Sequence, residues 1–256
     1  MHKFSPEEIR TSVRDRYGAV AQNKGTECGC SSSCCSPASA LGYTAEEMAL
    51  APEGANLGLG CGNPQAIAAL KPGEVVLDLG SGGGFDCFLA AKAVGTSGKV
   101  IGVDMTHEMI ALSRKNASQS AYAQVEFRLG EIEHLPVADS SIDVIISNCV
   151  INLSPDKPQV FREAFRVLKS GGRLAVSDMV ASGTLTEELR SDLTSYSVCI
   201  AGASPVDELA GMIEAAGFID IRIEPKEESR SFVKDWAPGK SIENYVLSAT
   251  IEAVKP

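Results

Sequence analysis

The chain of 256 residues lacks several features that would assign it to a broad class at once. It has no run of about 20 apolar residues, the length that a membrane-spanning helix needs. It has no excess of positive charge, and its formal net charge of −10 argues against a nucleic-acid-binding surface. The segment "MHKFSPEEIR" is charged from its start, so no secretory leader is predicted. We therefore expect a cytoplasmic protein that acts on small molecules, without a membrane or nucleic-acid partner.

Cysteine is the unusual component of this sequence. In a reducing compartment, cysteines more often bind metals or take part in catalysis than form structural disulfides. The segment "CGCSSSCC" lacks the Cys-x2-Cys pairs that are typical of structural zinc sites. Cys87 falls within an apolar helical pattern and is interpreted as a small buried hydrophobic residue. The eight cysteines are Cys28, Cys30, Cys34, Cys35, Cys61, Cys87, Cys149 and Cys199.

The first 70 residues are predicted to form helices and loops. Residues 6–22 carry apolar residues at helical spacing and are predicted to form a helix. Residues 23–40 are rich in glycine, serine and cysteine without periodicity, which predicts a loop. A short helix is predicted over 44–50, because Thr44 and Glu47 have the spacing of a capping box.

From Lys71 onward, apolar strand patterns alternate with helical patterns. Such alternation predicts an α/β fold of βαβ units with a mainly parallel sheet. The helix "PQVFREAFRVLKS" is predicted to end at Gly171-Gly172, and two further helices are predicted within 184–217. The late segments "FIDIRIEP" and "ENYVLSATIEAV" are predicted to be strands that form an antiparallel edge.

The segment "VVLDLGSGGGFD" (75–86) joins the first strand to its helix through a glycine-rich loop. Glycines let the backbone turn sharply and approach a ligand closely. The second strand ends in Asp104, about twenty residues further on, where an acid can bind both ribose hydroxyls of a nucleotide. Nicotinamide and flavin proteins have similar loops, so the loop alone does not decide the nucleotide.

This combination resembles the class I S-adenosylmethionine methyltransferases, which have a Rossmann-like fold. The resemblance implies that the loop faces the methionine part and the ribose, Asp104 holds the ribose, and Met105 packs on the adenine. The segment "GEIEHLP" then places Ile132 beside the adenine and Glu133 near its amino group. A different nucleotide, or Glu133 as a simple surface acid, remains an alternative. The implied cofactor-binding residues are Asp78, Gly80, Ser81, Gly82, Gly84, Asp104, Met105, Ile132, Glu133 and Asn148.

Three cysteines fall in segments that can converge at the edge of the sheet. The apolar strand in "SIDVIISNCVINLSPDK" ends at Asn148 and Cys149, and ligands of open α/β sheets bind beyond such strand ends. Cys61 and Cys199 lie in glycine-rich turns, "LGLGCGNP" and "SVCIAGASP". Converging thiolates suit a soft, thiophilic centre. Each cysteine alone fits a buried structural role equally well, and the sequence does not show that the three meet.

Several segments together resemble the arsenite methyltransferases: "GLGCGNP", "LDLGSGGGFDC", "GVDMT", "SNCVINLSPDK" and "FREAFRVLKSGGRLAVSDM". The resemblance implies that Cys61, Cys149 and Cys199 hold trivalent arsenic while its lone pair attacks the methyl group. It also implies that an N-terminal cysteine takes part either in reduction or in handing arsenic over; no position matches uniquely, and the vicinal pair Cys34-Cys35 is favoured. Arsenite and methylated arsenicals are then the substrates and products, with thioredoxin or a glutathione-like thiol as the reductant.

The resemblance divides the chain into three parts. Residues 1–70 form a helical and cysteine-loop extension, residues 71–183 the Rossmann-like cofactor-binding core, and residues 184–256 the helices and late strands that complete the sheet and the arsenic site. Two alternatives remain. One is a methyltransferase of a small organic substrate with incidental cysteines, in which serine variants of the three cysteines keep their activity. The other is a metalloid- or zinc-binding module without turnover.

Overall fold

The computed structural model describes residues 4–22, 38–237 and 239–256. Within these ranges, eight strands form one sheet in the order β3-β2-β1-β4-β5-β8-β7, with the short β6 beside β5. The strands are β1 (Val75–Leu79), β2 (Lys99–Asp104), β3 (Val125–Leu129), β4 (Ile142–Asn148), β5 (Leu168–Ala181), β6 (Ser204–Pro205), β7 (Ile219–Pro225) and β8 (Val246–Val254). The helices are α1 (Pro6–Gln22), α2 (Ala45–Leu50), α3 (Gln65–Ala68), α4 (Phe85–Val94), α5 (His107–Ser118), α6 (Lys157–Val167), α7 (Glu187–Arg190), α8 (Leu193–Tyr196), α9 (Val206–Ala215) and α10 (Arg230–Val233).

The centre of the sheet is parallel and buried on both faces. Strand β1 pairs in parallel with β2 on one side and with β4 on the other, and β4 pairs in parallel with β5. Both faces are covered, which explains why β1 and β4 are apolar runs without alternation. The chain builds outward from β1 in both directions, so the crevice beyond the carboxyl ends of β1 and β4 is the topological switch point.

The end of the sheet beyond β5 is antiparallel. Strand β8 pairs antiparallel with both β5 and β7, and β7 closes that edge. The predicted α/β class, with a mainly parallel sheet and an antiparallel edge formed by the late strands, is confirmed.

Helix α1 lies across the carboxyl ends of the central strands. It contacts α5 and α8, and its apolar side buries Ile9 and Val13 against the rest of the molecule. Burying each of these side chains stabilises the fold by about 1.5–3 kcal/mol. No helix within the described ranges is long and apolar enough to cross a membrane.

Two helix predictions are wrong, one in a boundary and one in a count. Helix α6 ends at Val167 rather than at the glycine pair, because Leu168 already pairs with Ile142 in the sheet. Residues 184–217 contain three helices, α7, α8 and α9, rather than two. The capping box over α2 is present as predicted, with Thr44 and Glu47 bonded reciprocally. Most of the predicted cysteine loop lies outside the described residues.

Candidate active site

A cavity opens beyond the carboxyl ends of β1, β2 and β4 and is covered on one side by α1. Nine of the ten predicted cofactor-binding residues line it, together with two of the predicted arsenic ligands. They are Asp78, Gly80, Ser81, Gly82, Asp104, Met105, Ile132, Glu133, Asn148, Cys149 and Cys199. Helix α1 contributes Arg10 and Tyr17 to the wall.

The glycine-rich loop runs close under this cavity. Gly80 has φ +69°, and a Cβ atom there would lie 2.2 Å from Cγ2 of Val150. Only glycine allows both the left-handed backbone and the close approach of the loop to Val150. Gly84 does not line the cavity: it caps the start of α4, and a Cβ there would lie 2.7 Å from the ring of Phe127. The hydroxyl of Ser81 is buried without a hydrogen-bond partner among the described residues, so it is available to a ligand.

Asp104 fixes the loop from the neighbouring strand. Its carboxylate accepts hydrogen bonds from the N–H groups of Gly82 at 3.0 Å and Thr106 at 2.8 Å. Burial raises the pKa of Asp104, and these N–H groups partly offset that shift. The carboxylate therefore combines a structural role in the loop with a position on the cavity wall.

Glu133 is buried and is not a surface acid. Its carboxylate accepts a hydrogen bond from Ser154 at 2.7 Å and lies 3.5 Å from the guanidinium of Arg10 in α1. Met105 and Ile132, the residues predicted to flank an adenine, line the same cavity. The ion pair with Arg10 ties the covering helix to this end of the cavity.

Three cysteines meet at one end of the cavity. The sulfur atoms of Cys61 and Cys149 and a carboxylate oxygen of Asp178 all lie within 4.8 Å of one another. The thiol of Cys199 donates a hydrogen bond to the main-chain carbonyl of Cys149 at 2.9 Å. All three cysteines are buried, and Cys149 lies beside both of the others, although Cys61 does not line the cavity.

Neighbouring groups raise the pKa of two of these thiols, Cys149 and Cys199. Contacts with the thiols of Cys199 and Cys61, followed by burial, raise the pKa of Cys149 well above its usual value. The bond with Cys149 lowers the pKa of Cys199, but burial and the charge of Asp178 outweigh it and the net shift is upward. Binding to a trivalent centre, in which thiols replace the hydroxyl groups of that centre, would favour the thiolate form. A nearby cation would have the same effect.

Asn148 holds the turn that carries Cys61. Its Oδ1 accepts the N–H of Cys61 at 3.0 Å, and its Nδ2 donates to the carbonyl of Gly62 at 2.8 Å. The same Nδ2 lies 3.0 Å from the hydroxyl of Tyr43, which donates to Asp86 at 2.7 Å. Asn148 lines the cavity as predicted, but its amide is used to join Cys61 to the cofactor side of the cavity.

Sequence reasoning missed four polar residues of the site. Asp86 lines the cavity, and burial raises its pKa to about 6. The only local signal for it was its position directly after the glycine loop. Tyr43, Lys157 and Asp178 act through partners far away in sequence, so no local pattern identifies them. Cys87 is buried as predicted and donates to Asp78 at 3.2 Å. The predicted pair Cys34-Cys35 lies outside the described residues.

Comparison with known proteins identifies clear relatives. A family model described as a methyltransferase domain matches residues 70–217. An arsenite methyltransferase of Halobacterium salinarum is 50% identical, covering 98% of this chain and 68% of that protein. An arsenite methyltransferase of Aquipseudomonas alcaligenes is 43% identical, covering 84% of this chain and 63% of that protein. The chain thus corresponds to roughly two thirds of the length of these relatives.

A solved structure shows the same similarity in three dimensions. CrArsM, an arsenic(III) S-adenosylmethionine methyltransferase from Chlamydomonas reinhardtii, superposes with a TM-score of 0.65 and 33% sequence identity. The match covers 86% of this chain and 73% of that one. It therefore extends beyond the residues of the methyltransferase-domain match.

Proposed function

The chain belongs to the arsenite methyltransferase family, and we propose that it transfers a methyl group from S-adenosylmethionine to trivalent arsenic held by Cys61, Cys149 and Cys199. Family membership confirms the resemblance predicted from the sequence motifs and the S-adenosylmethionine-dependent methyltransferase class. The observation that carries the arsenic assignment is that three buried cysteines lie together beside a cavity walled by a glycine-rich loop. The sulfur atoms of Cys61 and Cys149 lie within 4.8 Å of each other, and the thiol of Cys199 bonds the carbonyl of Cys149.

The cavity wall fits S-adenosylmethionine. The glycine loop brings the backbone to the cavity. The Ser81 hydroxyl, which has no partner among the described residues, can bond a ligand, and Asp104 can accept hydrogen bonds from the ribose hydroxyls. Met105 and Ile132 offer apolar surface to the adenine, and Glu133 can accept a hydrogen bond from the adenine amino group. The buried carboxylates of Asp78 and Asp86 suit a ligand that carries cationic ammonium and sulfonium groups.

Arsenite capture needs no external base. Three As–O bonds break and three As–S bonds form, and each thiol proton leaves with a hydroxyl group as water. Protonated thiols are therefore competent reactants. The neighbours of Cys149 favour this protonated form of its thiol. Three soft sulfur ligands match a thiophilic centre and leave the arsenic lone pair free. In this scheme the core 71–183 holds the cofactor, while Cys61 from the 1–70 extension and Cys199 from the 184–256 part complete the arsenic site.

When bound, S-adenosylmethionine supplies an electrophilic methyl carbon, which the arsenic lone pair attacks as the sulfonium carbon–sulfur bond breaks. The protein's contribution is to aim the arsenic and to exclude water, because the cysteines and the loop are fixed in advance. Asn148 supports this aim, since it joins the Cys61 turn to residues that line the cofactor part of the cavity.

Methylation raises arsenic formally from As(III) to As(V), so a further methylation needs two electrons. We assign them to the vicinal pair Cys34-Cys35, which would form a disulfide as arsenic returns to As(III). Thioredoxin or a glutathione-like thiol would then reduce that disulfide by thiol–disulfide exchange. This step is supported by the family resemblance and by the position of the pair in the N-terminal cysteine segment.

The test is arsenite-dependent turnover. Purified protein is incubated with S-adenosylmethionine, excess thiol and arsenite, the arsenic species are separated, and S-adenosylhomocysteine is quantified. We expect methylated arsenic from the wild type and almost none from Cys149→Ser. Cys87→Ser is the matched control, because Cys87 is a buried cysteine that bonds Asp78 rather than the thiol cluster. S-adenosylmethionine binding without methylated arsenic would instead favour an organic substrate.

A further inference from the structure

Two of the three clustered cysteines have a backbone conformation that L-residues rarely adopt. Cys149 has φ +59° and Cys199 has φ +62°. Such conformations persist only where the surrounding structure imposes them, and they concentrate at functional sites. The cluster therefore depends on groups that hold these two turns, and the described residues contain a buried polar network behind them.

Asp178 anchors the turn that carries Cys149. It is buried, and its Oδ1 accepts the N–H of Met179 at 2.7 Å and the side-chain amide of Asn152 at 2.8 Å. Its Oδ2 accepts the N–H of Ile151 at 2.9 Å, and the N–H of Asn152 lies 3.4 Å away. Both oxygens are thus used by the segment directly after Cys149. Although Asp178 lies near two sulfur atoms, this saturation argues for an anchor rather than a fourth ligand.

Lys157 anchors the loop that follows Cys199. Its buried ammonium donates to the carbonyl of Gly202 and to the hydroxyl of Ser204 at 2.8 Å. Burial lowers its pKa to about 8, and the charge of Asp178 opposes that shift. A lysine is rarely buried to this extent, and the methyl-transfer scheme gives it no other task.

The two anchored loops also touch each other. A Cβ at Gly202 would lie 2.0 Å from the carbonyl oxygen of Asn152, so the loop of Cys199 packs directly on the turn of Cys149. The hydroxyl of Tyr196 adds a second link, donating to the carbonyl of Ser154 at 2.9 Å. Asp178 and Lys157 therefore hold two segments that fit together only when both are in place.

We propose that Asp178 and Lys157 are positioning residues of the thiol cluster: Asp178 fixes the turn of Cys149, and Lys157 fixes the loop of Cys199, so that both sulfurs are placed before arsenic binds. The inference rests on the proposed function, because it concerns the same three thiols. Neither residue reacts in this account. Each acts through the segment that follows the cysteine it supports: Asp178 through Ile151 and Asn152, and Lys157 through Gly202 and Ser204.

The test compares Lys157→Met and Asp178→Asn with a control, Arg173→Met. Methionine keeps the length of lysine but removes its donors, and asparagine would aim an N–H group at donors. Arg173 also bonds main-chain carbonyls, those of Ala68 and Ala69, but at the opposite end of the β4–β5 pair. The measurements are the dissociation constants of arsenite and S-adenosylhomocysteine by calorimetry, and amide hydrogen exchange over 149–154 and 199–204 without arsenic.

We expect Lys157→Met to weaken arsenite binding about ten-fold or more, because a small misplacement of a reacting group is costly. Exchange over 199–204 should accelerate, while binding of S-adenosylhomocysteine stays at the wild-type value. Unchanged arsenite affinity or unchanged exchange in Lys157→Met overturns the proposal, as does an equal loss of arsenite affinity in Arg173→Met. If Asp178→Asn does not fold, Lys157→Met decides alone. If the wild-type protein binds no arsenite in the first titration, that result contradicts the proposed function rather than the positioning role.

Discussion

The thiol of Cys199 and the main-chain carbonyl of Cys149, fifty positions apart in sequence, are joined by a hydrogen bond of 2.9 Å. Because the two residues come from separate loops, this bond ties together the two halves of the thiol cluster. It also orients the sulfur of Cys199 toward the turn of Cys149. In the proposed scheme Cys199 exchanges this hydrogen bond for an As–S bond, which would give the residue a chemical role besides its structural one.

Replacing Cys199 by serine separates these two roles. Serine keeps a donor for the Cys149 carbonyl but offers a hard oxygen in place of a soft sulfur. We expect arsenite-dependent turnover to fall on the order of 100-fold, since one arsenic ligand is lost and the substrate is no longer aimed. The melting temperature should stay close to that of the wild type. A variant that keeps turnover would show that Cys199 is not a ligand.

Gly80→Ala tests the close approach of the cofactor loop. Alanine there carries the strain of φ +69°, about 1–2 kcal/mol, and meets Val150 as well. Gly95→Ala is the matched control, because Gly95 has φ +68° but a Cβ atom added there would meet no atom of the described residues within 4 Å. Both variants should lose stability on chemical denaturation. Only Gly80→Ala should also lose affinity for S-adenosylmethionine, and equal affinities in the two variants would contradict the assignment of the loop.

The carboxyl group of Asp86 predicts a pH dependence of cofactor binding. Burial raises its pKa to about 6, so it is mostly protonated at pH 5 and mostly ionised at pH 7.5. The ionised form attracts a cation, so affinity for S-adenosylmethionine should rise over this range. Affinity for S-adenosylhomocysteine, which lacks the sulfonium charge, should rise less. Calorimetry at the two pH values measures both, and Asp86→Asn should reduce the difference between the two ligands. If Asp86→Asn shows the same pH dependence of binding as the wild type, Asp86 is not the source of that dependence.

Asn148→Asp tests the link between the Cys61 turn and the cofactor side of the cavity. Aspartate keeps the acceptor for the Cys61 N–H but loses the donor to Gly62, and it places a second carboxylate beside Asp86. The two carboxylates repel each other and the carbonyl of Gly62 loses its donor, so we expect a loss of stability and of arsenite affinity larger than that of the next variant. Tyr43→Phe removes one hydroxyl of the same link and should cost only about 1–3 kcal/mol. Chemical denaturation and arsenite titration would show which of the two variants loses more stability and more arsenite affinity. A larger loss in Tyr43→Phe than in Asn148→Asp would contradict this role of Asn148.

The parts of the fold that were predictable are those encoded locally. The apolar runs of β1 and β4, the glycine loop and the capping box at Thr44 each follow from a few adjacent residues. The end of α6 was not predictable in this way, because Leu168 leaves the helix to pair with Ile142. In that case pairing in the sheet outweighs local helix propensity.

The same distinction applies to the site. Cys149 was identifiable because it follows a buried strand, where ligands of such sheets bind. Asp178 and Lys157 were not, because their partners are backbone groups of loops that only the folded chain brings together. A buried lysine within "SPDK" has the same local pattern as an exposed one. Its role is visible only once the loop containing Gly202 has closed over it.

The measurement that tests the central claim most directly is arsenic K-edge X-ray absorption of the arsenite-loaded protein. The sample is a variant with Cys28, Cys30, Cys34 and Cys35 all replaced by serine, so that Cys61, Cys149 and Cys199 are the candidate ligands and Cys87 is the remaining thiol. We predict a shell of three sulfur atoms and no oxygen around arsenic, and loss of at least one sulfur when Cys149→Ser is added. An oxygen-dominated shell, or a sulfur shell unchanged by Cys149→Ser, would contradict the account.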